Sequence, residues 1–148
     1  MPRILGIDHG TVRIGLALSD DLALFANPLK TLDASATVEQ EIAEIVRQKR
    51  VEEVVIGLPL RMSGERGSAT ERVEKFAERL QKHLLREVSI HFVDERLTSQ
   101  AAEQSLGLLN KKKTPDEKKL VDQVAAVAIL QDYLNTRSGP EAWLLPEE

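Results

Sequence analysis

The fold of this chain is decided by the stretch Ile4-Leu5-Gly6-Ile7-Asp8-His9-Gly10-Thr11-Val12-Arg13-Ile14-Gly15-Leu16-Ala17-Leu18-Ser19-Asp20. Two short apolar segments flank a turn at Gly10, which is the pattern of a β-hairpin. The carboxylate of Asp8 comes where the first strand ends, close to a glycine that lets a ligand approach the backbone. Two interpretations of Asp8 follow: it serves metal or phosphate chemistry, or it only begins the turn, as Asp often does.

Composition narrows the class of protein. The 148 residues suffice for one domain with a full core, and 42% hydrophobic with 30% charged residues is typical of a globular protein. The sequence has no cysteine, which excludes disulfides, thiolate nucleophiles and cysteine metal sites. The net charge of −4 argues against sequence-blind DNA binding, but it is compatible with a nuclease that carries a local basic rim.

The beginning of the chain and its hydropathy bear on localisation. The first residues lack the separate apolar region and cleavage site of a signal peptide. No apolar run approaches the roughly 18 residues that a membrane span requires. We therefore expect a cytoplasmic protein without a membrane partner.

The remaining periodicity predicts alternating strands and helices. Three potential capping boxes begin at Thr37, Ser68 and Thr114. The predicted strands cover residues 3–9, 12–19, 22–32, 54–58 and 88–93, and the predicted helices cover residues 37–49, 68–85, 98–107 and 115–135. Initial hairpins followed by strand–helix alternation predict an α/β protein with a mixed five-stranded sheet and helices on both faces, which is the topology of the ribonuclease H-like fold. We expect one domain over residues 1–136 and a C-terminal tail over residues 137–148.

Carboxylates occur at two further informative positions. Asp94 and Glu95 follow a predicted buried strand, at the end where open α/β sheets commonly place their sites. Alternation puts the two side chains on opposite faces, and it does not say which one points into a site. Asp122 lies on a largely apolar helical stripe, where burial is costly unless the carboxylate is paired or bound to metal. The alternative is that Asp122 stays near solvent in the first turns of its helix.

Three separated carboxylates of this kind could hold one or two Mg²⁺ or Mn²⁺ ions. Mg²⁺ prefers oxygen ligands and retains several waters. Such ions activate a water and stabilise the leaving oxygen in phosphodiester hydrolysis. The spacing therefore favours a metal-dependent nuclease.

Four segments in order along the chain are similar to the YqgF family, also called RuvX, over about Ile4 to Leu134. They are Gly6-Ile7-Asp8-His9-Gly10 with Arg13-Ile14-Gly15-Leu16-Ala17; Ile56-Gly57-Leu58-Pro59 with Gly64 and Gly67; Val93-Asp94-Glu95-Arg96-Leu97-Thr98-Ser99; and Val121-Asp122-Gln123-Val124-Ala125-Ala126 with Ile129-Leu130-Gln131. The family usually has a basic residue where this chain has Val12, which removes one phosphate contact and no carboxylate.

The resemblance implies a ribonuclease H-like nuclease with Asp8, Glu95 and Asp122 as catalytic, metal-binding acids and Mg²⁺ or Mn²⁺ as the cofactor. Family members are described as processing the 5′ end of pre-16S rRNA, as part of ribosome biogenesis, or as resolving Holliday junctions. The implied partners are precursor rRNA or branched DNA, with a pre-ribosomal particle as a further partner. The chain is expected to act as a monomer or a homodimer, and a dimer would suit the symmetric cuts of a four-way junction.

Basic residues near the predicted carboxylate end are candidates for contact with the nucleic-acid backbone. The alternative is a solvated surface. The candidates are Arg13, Arg61, Arg66, Arg96, Lys111, Lys112 and Lys113. His9, beside Asp8, is a weaker candidate for moving a proton. Because the chain has only five aromatic residues, backbone and shape recognition fits better than base stacking.

Two rival functions belong to other classes. Asp8-His9-Gly10-Thr11 also matches the first phosphate loop of the actin and sugar-kinase superfamily, but a single domain lacks the second wall of that nucleotide cleft. A non-catalytic RNA-binding assembly factor is the other rival, and it has no need of buried carboxylates.

Overall fold

The structure of the protein, a computed structural model, describes residues 3–61, 63–95 and 114–137. The elements in chain order are β1 (Arg3–His9), β2 (Arg13–Ser19), β3 (Ala26–Asp33), α1 (Val38–Gln48), β4 (Val51–Leu58), α2 (Ser68–Gln81), β5 (Ser89–Asp94) and α3 (Pro115–Arg137).

The strands form one mixed sheet in the order β3-β2-β1-β4-β5. β1 pairs antiparallel with β2, and β2 pairs antiparallel with β3. β4 runs parallel to both β1 and β5. The predicted five-stranded mixed sheet is therefore confirmed, with β1 as its central strand.

Each face of the sheet has its own core, because successive side chains of a strand point to opposite faces. Leu5 and Ile7 of β1 pack with α1 and α2 on one face. Ile4 of β1 and Val55 of β4 pack with α3 on the other face. This arrangement explains the continuous apolar runs of the central strands, which are covered on both sides, and it confirms helices on both faces.

A glycine in β1 allows α3 to lie close to the sheet. A Cβ atom built on Gly6 would come within 2.7 Å of the Cβ of Leu130 and 3.0 Å of the carbonyl oxygen of Ala126. Both distances are shorter than ordinary packing contacts. The helix therefore rests on the backbone of the central strand.

Two strands begin three or more residues away from their predicted starts. β3 begins at Ala26 and not at residue 22, because Asp20 accepts a hydrogen bond from the backbone N–H of Leu24 at 2.8 Å and holds a turn there. The apolar residues of this turn are exposed, so their pattern did not reflect burial in a strand. β4 begins three residues earlier than predicted, because Arg3 of β1 pairs with Val51.

The helix starts are partly as predicted. α3 has the full capping box, since Thr114 Oγ1 accepts from the N–H of Glu117 and Glu117 Oε1 accepts from the N–H of Thr114. The capping box predicted at Thr37 is wrong, because the Thr37 side chain makes no capping hydrogen bond. The box predicted from Ser68 is displaced: Gly67 is the N-cap, and its N–H donates to Thr70 Oγ1. α2 ends at Gln81, four residues before its predicted end.

The helix predicted over residues 98–107 and the C-terminal tail from residue 138 lie outside the described residues. Each helix within the described ranges is too short or too polar to cross a lipid bilayer.

A polar cluster anchors the C-terminal end of α3 to the sheet. Tyr133 Oη donates to Glu53 Oε1 at 2.6 Å, and Arg137 Nη1 lies 3.0 Å from Glu53 Oε2. We expect Tyr133→Phe to lower the free energy of unfolding by about 1 kcal/mol, because a partly buried bond to a charged acceptor is lost. Urea denaturation measures this, and Thr136→Val, which removes an exposed hydroxyl from the same helix, should change stability by less than about 0.5 kcal/mol. Equal effects of the two substitutions would contradict the assignment.

Candidate active site

Asp8 lies near the end of β1 on the face that α3 covers. It is the partner of Gly15 in the antiparallel pairing of β1 with β2. On the other side of β1, Ile7 is the partner of Ile56 of β4, so Asp8 lies next to Gly57. A carboxylate between two glycines in the sheet has open space on both sides for groups from other elements.

Glu95 fills the space over Gly57. A Cβ built on Gly57 would come within 2.5 Å of Glu95 Oε2. The N–H of Glu95 donates to the carbonyl oxygen of Leu58 at 3.3 Å, which continues the register of β4 with β5. Glu95 therefore points to the Asp8 side of the sheet, while Asp94 is exposed. Of the two side chains, Glu95 is therefore the one that points toward Asp8.

Asp122 occupies the space over Gly15. A Cβ built on Gly15 would lie 2.1 Å from the carbonyl oxygen of Asp122 and 2.9 Å from its Cβ. The Asp122 side chain is 17% exposed, and its Oδ2 accepts from Nε of Arg13 at 2.6 Å. The alternative of a solvated first-turn residue is therefore wrong, and the carboxylate is largely buried and paired.

The electrostatic effects among the three acids indicate that they lie close together. Burial raises the pKa of Asp8 to about 6, and the charge of Asp122 adds to the effect. Burial raises the pKa of Glu95 to about 8, with further contributions from the charge of Asp8 and from a hydrogen bond between the two carboxyl groups. Two neighbouring carboxyl groups that compete for one proton are also suited to a divalent cation, which can take the place of that proton.

The carboxylate oxygens of Asp8, Glu95 and Asp122 are the atoms of this site that could bind a divalent cation. Asp8 and Glu95 offer hard oxygen donors side by side, and Mg²⁺ is usually held by one or two carboxylates together with waters and substrate phosphates. In the described ranges, no group of three or more Asp, Glu or His side chains is placed to hold a metal ion. The third acid, Asp122, is turned to Arg13. The site thus fits a cation held by the Asp8–Glu95 pair, with Asp122 beside it.

His9 faces away from this site. Its ring stacks against Phe76 of α2 with centroids 4.4 Å apart, on the opposite face of the sheet from Asp8. Burial, with the nearby charges of Arg72 and Arg79, lowers the pKa of His9 to about 4. The side chain is therefore neutral at neutral pH and belongs to the core under α2, which disfavours the proton-transfer role considered for it.

The basic candidates have separate locations. Arg13 lies at the acids, but its guanidinium is engaged with Asp122. Arg61 lies in the loop after β4, where its Nε would be 2.8 Å from a Cβ on Gly67. Arg66 is paired with Glu74 on the exposed side of α2. The remaining candidates, Arg96, Lys111, Lys112 and Lys113, lie outside the described residues.

Comparison with protein families shows the family of this chain. The model of the RuvX family, described as Holliday junction resolvase, matches residues 2–136. The chain belongs to the RuvX family. Two RuvX relatives are each named "Putative pre-16S rRNA nuclease". The relative from Sulfurihydrogenibium sp. is 41% identical over 138 residues, covering 93% of both chains. The relative from Chloroflexus aurantiacus is 48% identical over 137 residues, covering 90% of this chain and 87% of its own.

Solved structures agree with the RuvX assignment at the level of the fold. Thermus thermophilus RuvC in complex with a Holliday junction matches with a TM-score of 0.58 and 17% identity, covering 94% of this chain and 97% of its own. The fowlpox virus resolvase with its Holliday junction matches with a TM-score of 0.58 and 12% identity, covering 90% and 97%. The ribonuclease H-like fold is confirmed, and by family the chain is a nuclease.

Two features of the site were not predicted from sequence. Gly15 and Gly57 lack the Cβ atoms that would overlap Asp122 and Glu95. In the sequence, these two glycines were noted only as parts of the segments that resemble the family. The pairing of Arg13 with Asp122 joins residues 109 positions apart, and no local pattern indicates it.

The raised pKa values predict how stability depends on pH. The folded protein binds the protons of Asp8 and Glu95 more tightly than the unfolded chain does, so the stability they contribute is lost as pH rises toward 8. The lowered pKa of His9 acts in the opposite sense, and only below its ordinary value of 6.5. Between pH 6.5 and 8, without divalent cations, the wild-type melting temperature should therefore fall, whereas Glu95→Gln should show a flatter profile. The measurement is a thermal shift assay of both proteins across this pH range. If their melting temperatures changed with pH in parallel, this electrostatic explanation would be contradicted.

Proposed function

We propose that this chain is a divalent-metal-dependent endonuclease that hydrolyses phosphodiester bonds in structured nucleic acid, with 5′-end processing of pre-16S rRNA in the cytoplasm as its reaction. The observation that carries the proposal is the Asp8–Glu95 carboxyl pair over Gly57, with Asp122 beside it. The names of the RuvX relatives support the choice of rRNA.

The residues have distinct roles in this proposal. Asp8, Glu95 and Asp122 are the catalytic, metal-binding acids. Asp8 and Glu95 lie side by side, whereas Asp122 is paired with Arg13 in the structure. A bound Mg²⁺ or Mn²⁺ would activate a water and neutralise charge on the phosphate. The site lies where β1, β4 and β5 end, so a phosphate can reach it from the edge of the sheet. The residues proposed to contact the nucleic-acid backbone are Arg13, Arg61, Arg66, Arg96, Lys111, Lys112 and Lys113.

Resolution of four-way DNA junctions is the second candidate function. The description of the family model and the fold shared with RuvC favour it. A resolvase makes two symmetric cuts, so this function requires two copies of the site, whereas rRNA processing can be performed by a monomer.

A side-by-side cleavage assay distinguishes the two functions. The substrates are a 5′-extended pre-16S rRNA and a four-way DNA junction, each with Mg²⁺ or Mn²⁺ and with the metal chelated. Metal-dependent cleavage of the RNA alone supports the proposal, and paired symmetric cuts in the junction support the resolvase. If neither is cleaved, either free or in the presence of pre-ribosomal particles, the proposal is wrong and an assembly factor becomes the better account.

A further inference from the structure

The ion pair between Arg13 and Asp122 is the feature of the site that hydrolysis alone does not explain. It joins the start of β2 to the middle of α3, with the side chains 28% and 17% exposed. Because of this low exposure, solvent and salt screen the pair less than they screen an ordinary surface ion pair. It also occupies the carboxylate that the proposed function assigns to catalysis.

The backbone of Asp122 is held in place, while its carboxylate has two neighbouring groups, Arg13 and Asp8. Contact with Gly15 fixes α3 against β2 at this residue. The carboxylate bonds to Arg13, and it lies near enough to Asp8 for its charge to act on that group. Rotation of one side chain, without movement of the helix, would therefore change the partner of Asp122.

The guanidinium of Arg13 also has two classes of partner. Its planar set of N–H donors matches a carboxylate and a phosphate with the same geometry. Arg13 is partly exposed at the edge where the nucleic acid is proposed to bind. A substrate phosphate would therefore compete with Asp122 for the same donors.

We propose that Arg13 is a positioning residue that holds Asp122 away from the cation site until a substrate phosphate binds Arg13 and releases the carboxylate to the cation. Nucleic acid and divalent metal then bind with positive coupling, and by linkage each tightens the binding of the other by the same factor. Without nucleic acid, the site holds its cation through Asp8 and Glu95 alone. This inference rests on the proposed function.

Metal binding without turnover tests the inference. Mn²⁺ affinity is measured by electron paramagnetic resonance for the wild type, Arg13→Gln and Arg13→Lys, with and without a short phosphorothioate oligonucleotide that is not cleaved. Arg13→Gln should bind Mn²⁺ about fivefold more tightly than the wild type without oligonucleotide, because Asp122 is free. The oligonucleotide should tighten Mn²⁺ binding about fivefold in the wild type and not in Arg13→Gln. Arg13→Lys, which keeps the charge without the planar fork, should lie between them.

Three controls separate this role from a structural one. Arg47→Gln removes an exposed arginine that pairs with Glu44 on α1, outside the proposed binding residues, and it should leave Mn²⁺ affinity and coupling unchanged. The gain from Arg13→Gln should disappear in an Asp122→Asn background, which isolates the interaction of the two residues. Mn²⁺ binding to the Asp8→Asn variant in the presence of the oligonucleotide measures how much Mn²⁺ the oligonucleotide binds by itself. Melting temperatures verify that each variant is folded.

The possible outcomes test the holding role of Arg13 separately from the proposed nuclease function. If the wild type binds Mn²⁺ through Asp8 and cleaves nucleic acid, but Arg13→Gln shows unchanged or weaker Mn²⁺ affinity, the holding role of Arg13 is overturned and the proposed function stands. If the wild type has no Asp8-dependent Mn²⁺ site and no cleavage, both are overturned.

Discussion

Replacing Asp8 by Asn is expected to reduce the rate of phosphodiester cleavage by about 1,000-fold, which corresponds to about 4 kcal/mol of lost transition-state stabilisation. The amide keeps the size of the side chain but cannot offer two anionic oxygens to a cation. The stability of the folded protein should not decrease. Asp8 and Glu95 compete for a proton in the buried site, and a neutral side chain relieves that repulsion.

Single-turnover cleavage with excess protein measures this prediction, and a thermal melt without divalent cations measures stability. Asp94→Asn is the matched control, because it makes the same chemical change on an exposed residue beside Glu95. Its rate should stay within about threefold of the wild type, a difference below 1 kcal/mol. An Asp8→Asn protein that keeps a tenth of the wild-type rate would remove Asp8 from the catalytic acids.

Replacing Gly15 by Ala is expected to lower the free energy of unfolding by about 3 kcal/mol or more, a large effect for one added methyl group. The added Cβ would lie 2.1 Å from the carbonyl oxygen and 2.4 Å from the carbonyl carbon of Asp122. These are backbone atoms of a helix, so no change of side-chain rotamer relieves the overlap. α3 has to move away from β2, and Asp122 moves with it.

Urea denaturation measures the loss of stability, and the cleavage assay measures the displacement of Asp122. Gly67→Ala is the matched control, since the nearest atom to its added Cβ is Nε of Arg61 at 2.8 Å, near the far end of a flexible, exposed side chain. We expect that variant to lose no more than about 1 kcal/mol, the usual effect of an Ala at a helix N-cap. Similar losses at both glycines would show that α3 does not rest on Gly15 as described.

The order of the described elements was predictable because it depends on local patterns. The central strands appear as continuous apolar runs since both faces are covered, and α3 begins at a capping box that the structure confirms. The failures have an equally physical origin. Leu22 to Phe25 resembles a strand, yet Asp20 holds these residues in a turn whose apolar side chains are exposed.

The candidate site was predictable only in part. Strand ends and an apolar helical stripe marked Asp8, Glu95 and Asp122, and alternation placed Asp94 and Glu95 on opposite faces. The choice between those two depends on which face α3 covers, a fact about the tertiary structure. Arg13 was expected at the substrate phosphate, and its bond to Asp122 depends on packing between elements far apart in the chain.

Hydrophobic periodicity and strand ends are local properties of the sequence. They therefore predict which segments form the sheet, where the described helices lie and that acids occur at the carboxyl edge of the sheet. How those acids come together depends on the tertiary structure. Gly15 and Gly57 lie on either side of Asp8 in the sheet, and the absence of two Cβ atoms lets Asp122 and Glu95 approach from a helix and a neighbouring strand. Close approach across a sheet depends on register and on helix packing, and neither is encoded in the spacing of residues along one segment.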